Sequence, residues 1–120
     1  TARDYAALLL MNLRGGMCGD NQVLTPEALA ATHENRTGRV YGSDVGYGMG
    51  WWLEPAEGDA DITIFTDGGA WGSLSWIDTE RNYAGVVFFE EYTGTEASKG
   101  SGGVRDQLIP IIAEAFDAVQ

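Results

Sequence analysis

Four strand-like runs in the middle of the chain, divided by short turn-rich connections, constrain its fold more than anything else in it. They cover approximately Gly46–Leu53, Asp61–Thr66, Ser73–Asp78 and Tyr83–Glu90. The dividers include Glu57-Gly58-Asp59, Asp67-Gly68-Gly69 and Asp78-Thr79-Glu80-Arg81-Asn82, all turn-forming in composition. A parallel crossover needs about a dozen residues or more, so connections this short make sequence neighbours into antiparallel neighbours. An antiparallel meander is the expected arrangement.

Helix signals flank that block. Thr1 and Asp4 have capping-box spacing, which predicts a helix over Ala2–Arg14 that Gly15 and Gly16 end. Thr25-Pro26-Glu27 offers a cap and a proline at the first helical position, predicting a short helix over Pro26–Thr32. Near the end, Val104, Leu108, Ile111, Ile112, Ala115, Phe116 and Val119 fall at helical spacing and can cover one face of a sheet. Pro110 should kink that helix or mark its real start. Ser98–Gly103 reads as a flexible loop. A chain of 120 residues suffices for one domain. The expected fold class is therefore α+β, a single domain over 1–120. It has an antiparallel sheet of about four strands, N-terminal helices, and a C-terminal helix packed on one face.

Two segments fit poorly into a self-contained domain. Ala84, Gly85, Val86, Val87, Phe88 and Phe89 are apolar on both faces, as a central strand is, yet the meander puts them at its edge. The run Tyr5 to Leu13 is apolar on nearly every side and calls for burial all round. The expected partner of the Ala84–Phe89 edge is a missing N-terminal segment or a second copy, forming a homodimer.

Eighteen acidic against seven basic residues give a formal net charge of −11. Such a surface repels phosphate backbones and anionic lipid, so neither nucleic acid nor membrane is an expected partner. No run is long enough to span a bilayer, and a soluble protein is expected, with no compartment indicated. Cys18 is the only cysteine, which excludes an internal disulfide.

Most catalytic patterns are missing. His33, the only histidine, follows a short helix amid polar residues and reads as a surface side chain. No Gly-x-Ser-x-Gly elbow or phosphate loop occurs. Glu54, Glu57, Asp59 and Asp61 crowd one loop, but their spacing matches no calcium loop and reads as a solvated hairpin tip. No metal or cofactor is expected.

The remaining candidate is the segment Phe65 to Asp78, within which Asp67-Gly68-Gly69-Ala70-Trp71 joins two strands. Thr1-Ala2-Arg3-Asp4-Tyr5-Ala6 with Leu13-Arg14-Gly15-Gly16, Leu24-Thr25-Pro26-Glu27, Tyr47-Gly48-Met49-Gly50-Trp51-Trp52 and the block Asp67 to Glu90 follow one another in order. Together they resemble the C-terminal region of the serine β-lactamase and penicillin-binding-protein superfamily, notably its class C β-lactamase-like esterases and peptidases. The third motif of that family is Lys or His, a variable residue, then Gly. The resemblance places it on Asp67, Gly68 and Gly69, and makes the N–H of Ala70 half of an oxyanion hole. It thus implies Asp67, Gly69 and Ala70 as catalytic positions, with Gly68 and Trp71 lining the substrate groove. Asp67 departs from the pattern, because an acid there repels a developing oxyanion.

The larger departure is absence. Lys99 is the only lysine and Glu96 stands three places before it, so the family's Ser-x-x-Lys nucleophile motif cannot occur. Tyr-x-Asn, the second motif, follows none of the tyrosines. The resemblance therefore implies a fragment that is inactive alone. Its parent would move an acyl group from a small-molecule ester or peptide, rather than a penicillin, to serine and then water. The alternatives are a stand-alone module that self-associates through its last strand, and a degenerate relative that binds a ligand beside Asp67 and Trp71.

Overall fold

The computed structural model describes residues 1–38, 46–55, 62–69, 71–90 and 101–119. The first helix, α1 (Ala2–Leu13), starts with the expected capping box: Thr1 Oγ1 accepts from the Asp4 N–H, and the Asp4 carboxylate reaches back to Thr1. Gly16 then turns the chain at φ +89°, in the left-handed region open to glycine. A side chain there would run into the Leu24 backbone. A small ribbon not foreseen in the sequence, β1 (Met17–Cys18) with β2 (Asn21–Gln22), carries the chain to α2 (Pro26–His33). Thr25 caps α2 by accepting from the Ala28 N–H.

The main sheet has five strands rather than four, in the order β3-β4-β5-β6-β7 and antiparallel throughout. These are β3 (Gly46–Tyr47), β4 (Trp52–Pro55), β5 (Ile62–Gly69), β6 (Ser73–Asp78) and β7 (Tyr83–Phe88). The extra strand arises because the run Gly46–Leu53 folds back on itself. Gly48 N–H donates to Trp51 O at 2.8 Å, and Gly50 takes φ +89°. The Glu57-Gly58-Asp59 connection and most of Gly38–Ser43 lie outside the described residues.

Helices cover both faces of the sheet. On one, α1 lays Leu9 against Trp51, Leu53, Phe65 and Ile77, with Tyr5, Leu13, Ala84 and Val86 around them. On the other lies α3 (Ser101–Asp117), where Phe116 stacks on Tyr83 with ring centroids 5.3 Å apart. One expectation about α3 needs correcting: Ser101–Gly103 already belong to the helix rather than to a loop. Of the two places open to Pro110, it takes the one inside the helix and not the one at its start. Pro110 is exposed, so its ring and its missing donor act at a solvated position.

The two misfits of the sequence persist. β7 is an edge strand among the described residues, and Phe88 (49 %) and Phe89 (42 %) are exposed. Phe89 N–H donates to Gly72 O, so by alternation the Ala84, Val86 and Phe88 peptide groups point away from β6. On α1, Leu8 and Leu10 are exposed, so the all-round burial its composition calls for is not met within these residues.

Candidate active site

The Asp-Gly-Gly segment is strand, not turn. Asp67 pairs with Ser75, Gly68 with Leu74 and Gly69 with Ser73, so β5 runs to the end of the motif and the turn begins after it. Glycine permits this at position 69, where a side chain would collide with Ser73 Oγ. Gly72, at φ +89°, closes the loop, donating to Gly69 O at 3.2 Å. Trp71 stands at its tip, 75 % exposed. Ala70, the position implied to supply the oxyanion donor, lies outside the described residues.

Directly opposed residues of an antiparallel pair share a face. Asp67 is therefore on the α1 side, because Ser75 is held there by Tyr5, whose hydroxyl lies 3.2 Å from Ser75 Oγ. Ser75 Oγ in turn leans on Asp67 O at 3.4 Å. Ser75 is 1 % exposed, so it is a buried support rather than a presented nucleophile. Asp67 itself is half-buried, and burial pushes its carboxyl above the usual range. No hydrogen bond or ion pair reaches that carboxylate among the described residues.

One row further along the same face, Gly69, Ser73 and Phe88 stand side by side in register. Phe88 meets Tyr5 edge-on at 6.0 Å, and a cavity of about 510 Å³ opens between Thr1, Ala2, Tyr5 and Phe88. The structure thus adds Tyr5, Ser75 and Phe88 to the residues picked from sequence. Ser75 was within reach of strand alternation across the Gly69–Ser73 turn. Tyr5, seventy residues away, carried no such signal.

His33 is not the surface side chain its neighbours in sequence suggested. Its ring stacks on Phe65 at 4.1 Å and meets Trp51 at 6.3 Å, and burial lowers its pKa. It sits in the wall of the core, packed against these two rings. No group of three or more potential metal ligands is found among the described residues. None of the described helices is long and apolar enough to cross a membrane.

A five-stranded antiparallel sheet flanked by helices, with Asp-Gly-Gly ending an inner strand, is a partial β-lactamase-like fold. The Beta-lactamase family model matches residues 1–107, and the chain belongs to that family. Its structure is similar to that of a candidate β-lactamase from Bacteroides dorei, with a TM-score of 0.68 and 21% identity. That match covers 94% of this chain and 40% of the other. It is also similar to a penicillin-binding-protein homologue from Caulobacter crescentus, with a TM-score of 0.58 and 21% identity over 77% of this chain and 26% of that one. The chain therefore spans well under half the length of either structure. Comparison with curated proteins gave no match.

Proposed function

We propose that this chain is the C-terminal portion of a β-lactamase-like serine acyl hydrolase. In this reading β5 lines one wall of the active site, the N–H after Gly69 helps bind the tetrahedral oxyanion, and the nucleophile comes from the rest of the domain. The observation that carries it is the family match over 1–107 in a chain containing neither Ser-x-x-Lys nor Tyr-x-Asn. The free edge of β7 is where a further strand of the same domain would pair. The acyl group would come from an ester or peptide in preference to a penicillin, since Asp67 opposes an anionic substrate group. The purified 120-residue chain should hydrolyse neither nitrocefin nor p-nitrophenyl butyrate above the buffer rate. Turnover that disappears on changing a single serine would overturn the reading.

A second reading is favoured by one observation, the outward-facing peptide groups of Ala84, Val86 and Phe88 beside two exposed phenylalanines. Here the chain is a non-catalytic module whose β7 edges pair across a two-fold axis. Light scattering over a dilution series decides it: a dimer whose mass falls on dilution supports the reading, and a monomer at micromolar concentration rejects it.

A further inference from the structure

The Asp67 carboxylate is the unexplained charge of the α1 face. It is desolvated by the sheet, it belongs to no ion pair among the described residues, and the nearby polar groups serve each other. The side chain of Arg81 is committed to Asp78, Glu80 and Asp117, that of Arg36 to Glu34, and Arg105 to Asp106. Next to Asp67 on this face stand Gly69 and Ser73, and Phe88, opposite Ser73 in register, borders the cavity it shares with Tyr5. From strand spacing, about two strands across and one row along, the Asp67 and Phe88 Cα atoms stand roughly 12 Å apart. That interval runs from a carboxylate at one end to aromatic walls at the other.

We infer that this face binds a ligand with a primary ammonium group joined by a short linker to an apolar or aromatic body, the ammonium meeting Asp67 and the body resting in the cavity against Tyr5 and Phe88. A carboxylate in a partly desolvated site is stabilised by an arriving cation, and aromatic rings attract the same charge. The net charge of −11 raises the local concentration of cations and lowers that of anions. The inference rests on reading β5 as the substrate-facing strand and adds the substrate class: amine-bearing acyl compounds, such as aminoacyl esters or amides.

Binding can be tested without catalysis, so its outcome is separate from that of the hydrolysis assays. The whole chain is titrated with 3-phenylpropylammonium, 3-phenylpropanol and 3-phenylpropanoate, three ligands of one shape and different charge, while amide NMR signals of Asp67, Ser75 and Phe88 are followed. The ammonium should bind about 3- to 10-fold more tightly than the alcohol, as expected for one partly exposed charge pair with an aromatic contribution. The propanoate should bind more weakly than either. Asp67→Asn should equalise the ammonium and the alcohol without abolishing either, and Asp67→Glu should keep a preference for the ammonium. Equal affinities in the parent chain, no shift with the ammonium, or an ammonium preference that survives Asp67→Asn would each overturn the inference.

Discussion

Adding one methyl group at Gly85 tests how tightly the α3 side of the sheet is closed. Gly85 lies opposite Trp76 in the β6–β7 register, and Trp76 is 3 % exposed. A Cβ on Gly85 would sit 2.5 Å from Trp76 Cε2 and closer still to Cζ2 and Cη2, against an ordinary carbon contact of about 3.5–4.0 Å. The indole would have to move by an ångström or so, and its burial opposes that. Overpacking of this kind costs about 1–3 kcal/mol, partly offset by the roughly 0.4–1 kcal/mol that Gly→Ala gains by restricting the unfolded chain. Gly85→Ala should therefore lose about 1–2 kcal/mol, which at this chain length lowers Tm by roughly 5–10 °C. Gly68→Ala on the same face is the control. Its Cβ would meet only the tip of Leu74 at 3.3 Å, so its stability should stay within about 1 kcal/mol of the parent. Urea denaturation followed by circular dichroism measures both. In a Trp76→Phe background, which removes the clashing atoms, the penalty of Gly85→Ala should shrink. Parent-like stability for Gly85→Ala with an unchanged m-value, or an equal penalty in both backgrounds, would refute the packing argument.

Three further outcomes follow from charge and burial. His33 is held below its usual pKa by burial, so the unfolded chain takes up that proton first as pH drops. Stability should be full above about pH 6.5 and fall as pH is lowered through the folded-state value, with His33→Phe flattening the slope of urea midpoint against pH. Asp67 is held above its usual pKa by burial, so its contribution to stability is lost as pH rises through the carboxylate range. Asp67→Asn should raise the urea midpoint at pH 7 and lose that advantage near pH 3. Arg81 ties the β6–β7 turn to α3, with Nη1 3.4 Å from the buried Asp78 carboxylate and Nε 3.3 Å from Asp117. Arg81→Ala should cost about 1–3 kcal/mol because it strips a buried acid of its counter-ion, whereas Asp117→Ala should cost less than about 1 kcal/mol; thermal melts of the two variants separate them.

Local chemistry was legible in the sequence wherever a side chain acts on its own neighbourhood. The Thr1–Asp4 and Thr25 caps, the Ser73–Asp78 strand and the edge position of β7 are as the residues imply. Boundaries set by the backbone were less legible. Glycines permit turn and strand alike, so Gly48 and Gly50 divide one expected strand while Gly68 and Gly69 extend another. Long-range contacts left no trace in local pattern. The polar neighbours of His33 hid its stack on Phe65, and nothing near Tyr5 pointed to Ser75. Of the implied site, Asp67, Gly68 and Gly69 share one strand and Trp71 stands beyond it, while the identity of the acid at position 67 is an electrostatic fact that only its burial made meaningful.

The two faces of the sheet differ in how far their interactions are closed, and the difference locates where the molecule can act. On the α3 face Gly85 accommodates the Trp76 ring, Tyr83 stacks on Phe116, and Arg81 joins Asp78 to Asp117. On the α1 face the inner end is packed around Leu9 and Ile77, but the outer end holds a carboxylate with no counter-ion among the described residues, an open cavity and an exposed Phe88. Selection for stability alone would replace Asp67 with a neutral residue, since a desolvated, unpaired acid weakens the fold. A site that is destabilising in isolation becomes favourable once a ligand or a neighbouring segment supplies the missing charge and contact. The cost carried by Asp67 and the exposed Phe88 ring therefore point to the same face of the sheet, and binding there should raise the stability of the whole domain.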